Sequence, residues 1–328
     1  MKLKALERFN QIVIQIHDNP DADAVGSGYA IYEYFKEKDK DVRLIYSGQN
    51  KIKKSNMIHM IKDLQIPLEY VVKLEKPELL LTVDCQYEEG NVTVFEAENV
   101  AEIDHHNTGE VSDDMSEIRS QLVSCATICY DMLKEEGFDV NKDKRVATAL
   151  FYGLFMDSNE LSEIRHPLER EMLDELKYDE QLITKFTHAN FTLEEMETAG
   201  LAMLRYSFDE RKRLAIINSK PCDPNILGII GDFVLQVDSI DVCIIYNPCH
   251  DGYKLSVRSS IPQVPANELA AYIGGEVGNG GGHLNKAGGF ISGKRYAAKY
   301  DDMNINAYVH SRVEGFYDIL QSSNILTI

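Results

Sequence analysis

Short apolar runs alternate with stretches of helical periodicity along most of the chain. Ile12–Ile16, Val42–Tyr46, Leu79–Val83 and Val100–Ile103 are rich in Val, Ile and Leu, as buried strands are. Ser27–Lys38, Ala126–Glu136 (closed by Gly137) and Arg145–Met156 carry helical spacing between and after them. Strands alternating with helices predict an α/β domain on a parallel sheet. Leu168–Leu204 has few turn signals and reads as a helical connector. A second, smaller α/β block starts near Arg213, with strands at Leu214–Asn218, Val242–Tyr246, Lys254–Arg258 and Gly289–Ile291. Ile226–Val237 and Glu268–Ile273 are its helices, and Pro248–Gly252 is a hairpin-type turn. The expected division is 1–185, a helical linker at 186–210, and 211–328.

The ends of the first-block strands carry the candidate chemistry. Ile12–Ile16 runs into His17, Asp21 and Asp23, followed by Gly26-Ser27 as an expected helix start. Leu79–Val83 ends in Asp84-Cys85, and Val100–Ile103 ends in Asp104-His105-His106. Asp157 follows the helical run 150–156. A single Asp at a strand end is more often a turn former or helix cap. Several strands delivering Asp and His to one sheet edge is different, because open α/β sheets bind ligands at their carboxyl ends. Carboxylates so gathered repel unless cations hold them together. Carboxylate oxygens with imidazoles suit Mn²⁺, and Mg²⁺, Co²⁺ or Zn²⁺ less specifically. The donors are too many for one tetrahedral ion and fit a two-metal site with a bridging carboxylate.

Length and charge narrow the partners. The 328 residues suit about two domains of ~150 residues each. A net charge of −19 disfavours duplex nucleic acid and anionic membranes, while allowing a small anionic substrate in one local positive site. No apolar stretch is long enough to span a membrane, and residues 1–10 lack the apolar core of a secretory signal. The six cysteines contain no CxxC pair and read as reduced, cytoplasmic thiols.

The second block carries Gly278-Asn279-Gly280-Gly281-Gly282-His283, then Ala287-Gly288-Gly289. A flexible loop is the plain reading. With His283 after the glycines and Arg258 at a strand end, a phosphate clamp of Arg, His and backbone N–H groups becomes the sharper one. Tyr253 and Phe290 could stack on a base, but as strand residues they are expected in the core.

These motifs together resemble the DHH phosphoesterases. His17-x-x-x-Asp21-x-Asp23-Ala24-x-Gly26-Ser27 is similar to the family's first motif, Asp84 to its second, Asp104-His105-His106 to its third and Asp157 to its fourth. Gly280-Gly281-Gly282-His283 with Arg258 resembles the DHH-associated C-terminal domain of nanoRNases, pAp phosphatases and cyclic-dinucleotide phosphodiesterases. The resemblance implies a two-domain α/β fold with the active site in the cleft between a catalytic domain and a substrate-binding domain. It implies two Mn²⁺ ions, with Mg²⁺ or Co²⁺ as substitutes. One ion would take His17, Asp21 and Asp84; the other would take Asp23, Asp84, His105 and Asp157. His106 would face the substrate phosphate, Asp104 would orient a histidine, and Arg258, His283 and Gly280–Gly282 would grip substrate. Asp157-Ser158-Asn159-Glu160-Leu161 departs from the family's Thr-Gly-x-Phe after the fourth Asp, and 162–167 has no assignable role. Glu160 and Glu163 would disfavour a phosphate unless they point away.

The implied reaction is attack by a metal-bridged hydroxide on phosphorus in a small nucleotide. Expected substrates are short single-stranded oligoribonucleotides, pAp and linear or cyclic dinucleotides. Inorganic pyrophosphatase and single-strand exonuclease are rival enzyme readings, against which stand the Gly-Gly-Gly-His run and the short, acidic chain. A metal-bound nucleotide sensor without turnover is the rival of another class. A homodimer is left open.

Overall fold

The computed structural model describes residues 1–106, 114–189, 192–222, 224–300, 304–323 and 325. The chain forms two compact units, Met1–Phe191 and Thr192–Ile328.

The first unit begins with α1 (Leu3–Leu6), β1 (Gln11–Ile16), α2 (Ala22–Glu37), β2 (Asp41–Tyr46), α3 (Ser55–Asp63) and β3 (Leu68–Tyr70). It continues with β4 (Leu79–Val83), β5 (Asn99–Asp104), β6 (Ser116–Ile118), α4 (Cys125–Glu135), α5 (Lys144–Asp157), α6 (Pro167–Glu175) and α7 (Glu180–Thr187). The six strands are all parallel in the order β3-β2-β1-β4-β5-β6. Strand order reverses between β1 and β4, so the crevice outside their carboxyl ends is the natural ligand position. One sheet face packs on α2, α4 and α5 through Ile14, Val25, Tyr29, Leu81, Ile128 and Leu150. Val13, Ile45 and Leu80 on the other face are covered by Phe95, Leu74 and Tyr87 rather than by a helix.

Helix α2 starts five residues before the expected Ser27, because Asp21 caps it by accepting from the Ala24 N–H. Gly26 and Ser27 are therefore interior. A Cβ at Gly26 would stand 2.4 Å from the Ala149 carbonyl oxygen, so glycine lets α2 and α5 cross closely. The stretch 162–167 proves to be a helix start: His166 caps α6 and Glu169 reaches back in a capping box.

The second unit holds α8 (Leu193–Met203), β7 (Tyr206–Asp209), β8 (Leu214–Asn218), α9 (Pro224–Val234), β9 (Val242–Cys249) and β10 (Gly252–Ser259). It ends with α10 (Ala266–Gly274), β11 (Gly278–Gly282), β12 (Lys286–Ser292), α11 (Gly293–Lys299) and α12 (Ile305–Ser322). Its sheet runs β11-β12-β10-β9-β8-β7, parallel only between β8 and β9. Helices α10 and α12 cover one face through Leu269, Ile273, Val309 and Val313; α8 and α9 pack on the other through Ala199, Ala202, Ile226 and Ile230. The expected connector is thus divided. Met172, Ile183 and Phe186 of α6 and α7 join the first core, while α8 packs in the second unit. Among the described residues no helix is long and apolar enough to cross a membrane.

Candidate metal centre

Every first-unit residue named as a candidate metal ligand or as part of the Asp104–His106 pair lies at the carboxyl end of the parallel sheet or at a helix beside it. His17 follows β1, Asp84 follows β4, and Asp104 ends β5 with His105 and His106 directly after it. Asp21 and Asp23 open α2, and Asp157 is the last residue of α5. Asp84 has φ 62°, a left-handed conformation rare outside glycine, and its N–H donates to the Ile103 carbonyl.

The candidate ion ligands converge in two groups, and Asp84, Asp104, His105 and His106 form a third cluster of possible donors beside them. His17 Nε2 stands 3.6 Å from Asp21 Oδ2 and 3.6 Å from Asp84 Oδ2. His105 Nε2 stands 3.6 Å from Asp157 Oδ2 and 3.9 Å from Asp23 Oδ2. Asp84 joins the groups, with Oδ1 3.4 Å from His105 Nε2. Asp23 is anchored at the start of α4, accepting from the Cys125 and Ala126 N–H groups at 2.6 and 2.8 Å and from Ser27 Oγ at 3.2 Å. A helix N-terminus suits a carboxylate.

Crowding shows in the proton affinities. Burial and then the Asp84 charge push Asp23 up to about 7. Burial and then the Asp23 charge raise Asp157. Burial pulls His105 down, yet the Asp84, Asp23 and Asp157 carboxylates together more than offset it and lift the imidazole to about 10. Burial likewise disfavours the charged form of His17, and Asp21 with Asp84 outweigh it to raise this histidine. At Asp21 burial is overcome by His17, which holds the carboxyl below the usual range.

The donors fit divalent cations. Asp84 Oδ1 and His105 Nε2 are buried without hydrogen-bond partners although they face one another. Buried polar atoms are rarely left so. The neighbouring thiols are turned elsewhere: Cys85 Sγ donates to the Gln15 carbonyl and Cys125 Sγ to that of Ile103. The set that remains is oxygen and imidazole nitrogen, which suits Mn²⁺, Mg²⁺ or Co²⁺ better than a thiolate-seeking ion.

Residues 11–154 match the DHH family, N-terminal domain. The first unit therefore carries a match to the N-terminal domain of that family, over the stretch that holds His17, Asp21, Asp23, Asp84 and Asp104–His106. The match agrees with the family that its motifs resemble, and relatives with a printed activity are named for hydrolysis of phosphoesters or pyrophosphate. Over 292 residues (88% of the chain) it is 23% identical to an uncharacterised protein of Methanocaldococcus jannaschii, of whose length it spans 59%. It is 22% identical over 319 residues, covering 89% of this chain and 92% of the relative, to the bifunctional oligoribonuclease and PAP phosphatase of Mycoplasma genitalium. It is 24% identical over 272 residues, 79% of each chain, to a probable manganese-dependent inorganic pyrophosphatase of Streptococcus equi subsp. zooepidemicus. The solved structure of an exopolyphosphatase-related protein from Bacteroides fragilis superposes with a TM-score of 0.74 at 17% identity, over 97% of this chain and 96% of that one.

Beside the ligand groups, the DHH domain builds a dyad. Asp104 Oδ1 lies 2.8 Å from His106 Nδ1 and accepts from the His105 N–H at 2.8 Å. The carboxylate raises His106, and burial lowers it less. Gln86, which no pattern in the sequence marked, donates from Nε2 to Asp104 Oδ2 at 2.8 Å. Gly153 also went unremarked: a Cβ there would come within 3.0 Å of Asp23 Oδ1. Glu160 is exposed, in a left-handed turn spanning Asn159, Glu160 and Leu161.

The second unit holds the remaining candidates. Arg258 lies beside α9, where Nε donates to Asp232 Oδ1 at 2.6 Å and Nη1 to Ser256 Oγ at 3.2 Å. The run Gly278–Gly282 is an edge strand paired antiparallel with β12, not the expected loop. Close packing explains it, because a Cβ at Gly280 would meet the α10 backbone at 2.3 Å. His283 is exposed just past that strand, its N–H donating to the Lys286 carbonyl. Gly280 and Gly281 line a depression of about 360 Å³ with Lys254, Asn279 and Phe290. Phe290 shares a sheet face with Lys254, whose ammonium sits 5.4 Å from the ring centre, and is not in the core as expected; Tyr253 does pack against it.

Proposed function

We propose that the chain hydrolyses phosphoester bonds in small nucleotides with bound Mn²⁺, for which Mg²⁺ or Co²⁺ can substitute. His17, Asp21 and Asp84 would hold one ion, and Asp23, Asp84, His105 and Asp157 the second. The observation that carries this reading is Asp84, a buried carboxylate reaching a histidine of each group, with Oδ1 free of hydrogen bonds. Divalent ions bound there supply Lewis-acid polarisation of a phosphoryl oxygen and acidify a water towards neutrality.

The chain's own residues do the rest. Asp104 holds His106 at Nδ1 and favours its protonated form, so the other ring N–H donates to a phosphoryl oxygen as negative charge grows there. The charges of Asp21, Asp23, Asp84 and Asp157 cancel those of two divalent ions, so the substrate's own charge must meet other donors. His106 is the proposed donor in the first unit; Arg258, His283 and Gly280–Gly282 are the proposed substrate-binding residues of the second, where Gly281 has open space beside it. Asp232 fixes the Arg258 guanidinium at Nε and so orients it.

Candidate substrates are short oligoribonucleotides, pAp and linear or cyclic dinucleotides, a choice supported by the name of the Mycoplasma relative. Pyrophosphate is the second reading, favoured by the Streptococcus relative. A cytoplasmic location is part of this reading and rests on the sequence, whose six cysteines contain no CxxC pair. The test is a panel with Mn²⁺, and again with chelator, of pAp, pApA, cyclic di-AMP, RNA of graded length and pyrophosphate. The expected result is chelator-sensitive turnover of the small nucleotides. Turnover of pyrophosphate alone, or nucleotide binding without turnover, would overturn it.

A further inference from the structure

Gln86 follows the left-handed turn at Asp84 and is 2% exposed. Its Nε2 donates twice, to Asp104 Oδ2 at 2.8 Å and to the His106 carbonyl at 3.0 Å. Both amide hydrogens are thereby used. Its Oε1 is buried without a partner, an arrangement that destabilises a fold. An apolar side chain of the same length would avoid that orphan, so stability alone does not account for glutamine here. The amide instead completes a network. Asp104 accepts from the His105 N–H and lies on His106 Nδ1 with one oxygen, and accepts from Gln86 with the other. Without the Gln86 donor the carboxylate is free to rotate, and the His106 backbone loses its tie to the end of β4.

We propose that Gln86 is a positioning residue for the His106–Asp104 dyad: its amide clamps the Asp104 carboxylate and the His106 main chain together, fixing which ring nitrogen of His106 is held and which is presented to the phosphate. Gln86 bonds to Asp104 and the His106 main chain and to none of the residues proposed above to hold the ions, so its effect is on the histidine, and bound metal is measured alongside to check this. The inference rests on the phosphoesterase reading for its kinetic consequence but not for its structural one, and the experiment separates the two.

The variant is Gln86→Met, which keeps length and removes the donor, compared with wild type, His106→Ala and the double variant. The first readout is ¹⁵N NMR of histidine-labelled, Mg²⁺-loaded full-length protein. His106 should have a protected Nδ1 proton in wild type and an exchanging, mixed tautomer in Gln86→Met. The second readout is kinetics on whichever panel substrate is turned over with Mn²⁺. Here kcat should fall about 10–100-fold, by analogy with the loss of the groups that orient metal-bound histidines, with KM and bound metal unchanged. In the His106→Ala background the same substitution should change kcat less than about twofold, because the residue it positions is gone. An unchanged His106 spectrum, or an equal loss of kcat in the His106→Ala background, would overturn the proposal. Wild-type protein that turns over nothing would overturn the phosphoesterase reading, and the NMR comparison would still decide the role of Gln86.

Discussion

At Asp84 the backbone is held at φ 62° while the carboxylate is buried between two histidines. A non-glycine residue in that region costs on the order of 1–3 kcal/mol and persists where function over-determines it. The same crowding makes the metal-free protein sensitive to pH. Asp23 is raised to about 7, so the metal-free fold gains stability as pH falls through that value and carries the full repulsion above it. His105 is raised to about 10, so its contribution is complete below an ordinary histidine pKa and is lost as pH rises through the raised one. Both signs point the same way, and a metal ion held by these residues would replace both protons. The Tm gap between Mn²⁺-loaded and chelated protein should therefore widen steadily from about pH 6 to about pH 9. A gap that is flat or narrows over that range would show that these groups are not the ligands.

Among the elements, the α2–α5 crossing sets the spacing of the acids. Gly26 and Gly153 allow it: a Cβ would meet the Ala149 carbonyl at 2.4 Å or Asp23 Oδ1 at 3.0 Å. Gly26→Ala pushes backbone against backbone and should lower stability by about 1–3 kcal/mol, the usual range for overpacking. Gly153→Ala presses on a site carboxylate instead. It should weaken Mn²⁺ binding more than Gly26→Ala does, with a smaller fall in Tm. Thermal melts with Mn²⁺ titrations on both variants check this ordering, and the reverse ordering would contradict it. These glycines also show what the sequence could convey. The strands were legible because β1, β2, β4 and β5 are short apolar runs, and the Asp and His residues stand at their ends. The start of α2 was not, because Gly26-Ser27 looks like a boundary and only Ala149 on a distant helix explains it. The glycine run read as a loop because its close contact with α10 is long-range. Gln86 carried no signal, since a polar residue after a strand is ordinary until Asp104 of the next strand is seen beside it.

For the molecule as a whole, a net charge of −19 sets the reach of the proposed activity. One Arg and a few histidines can meet one or two phosphates, and a longer strand must lie along an acidic surface. A charge-assisted hydrogen bond to a terminal phosphate contributes about 1.5–3 kcal/mol, which distal repulsion can offset. We expect kcat/KM to peak at about one to four nucleotides and to fall above about ten, with a smaller fall at higher salt as screening shortens to ~8–10 Å. A length ladder at two salt concentrations measures it, and a profile that rises with length at low salt would reveal a strand-binding surface. The account as a whole turns on two ions sharing one carboxylate. Its most direct test is the number of Mn²⁺ ions bound per chain, by equilibrium dialysis with elemental analysis, in wild type, Asp21→Ala and Asp84→Ala. We predict two in wild type, about one in Asp21→Ala and fewer still in Asp84→Ala, because only Asp84 reaches both groups. A full complement in Asp84→Ala, or a single ion in wild type, would contradict the account.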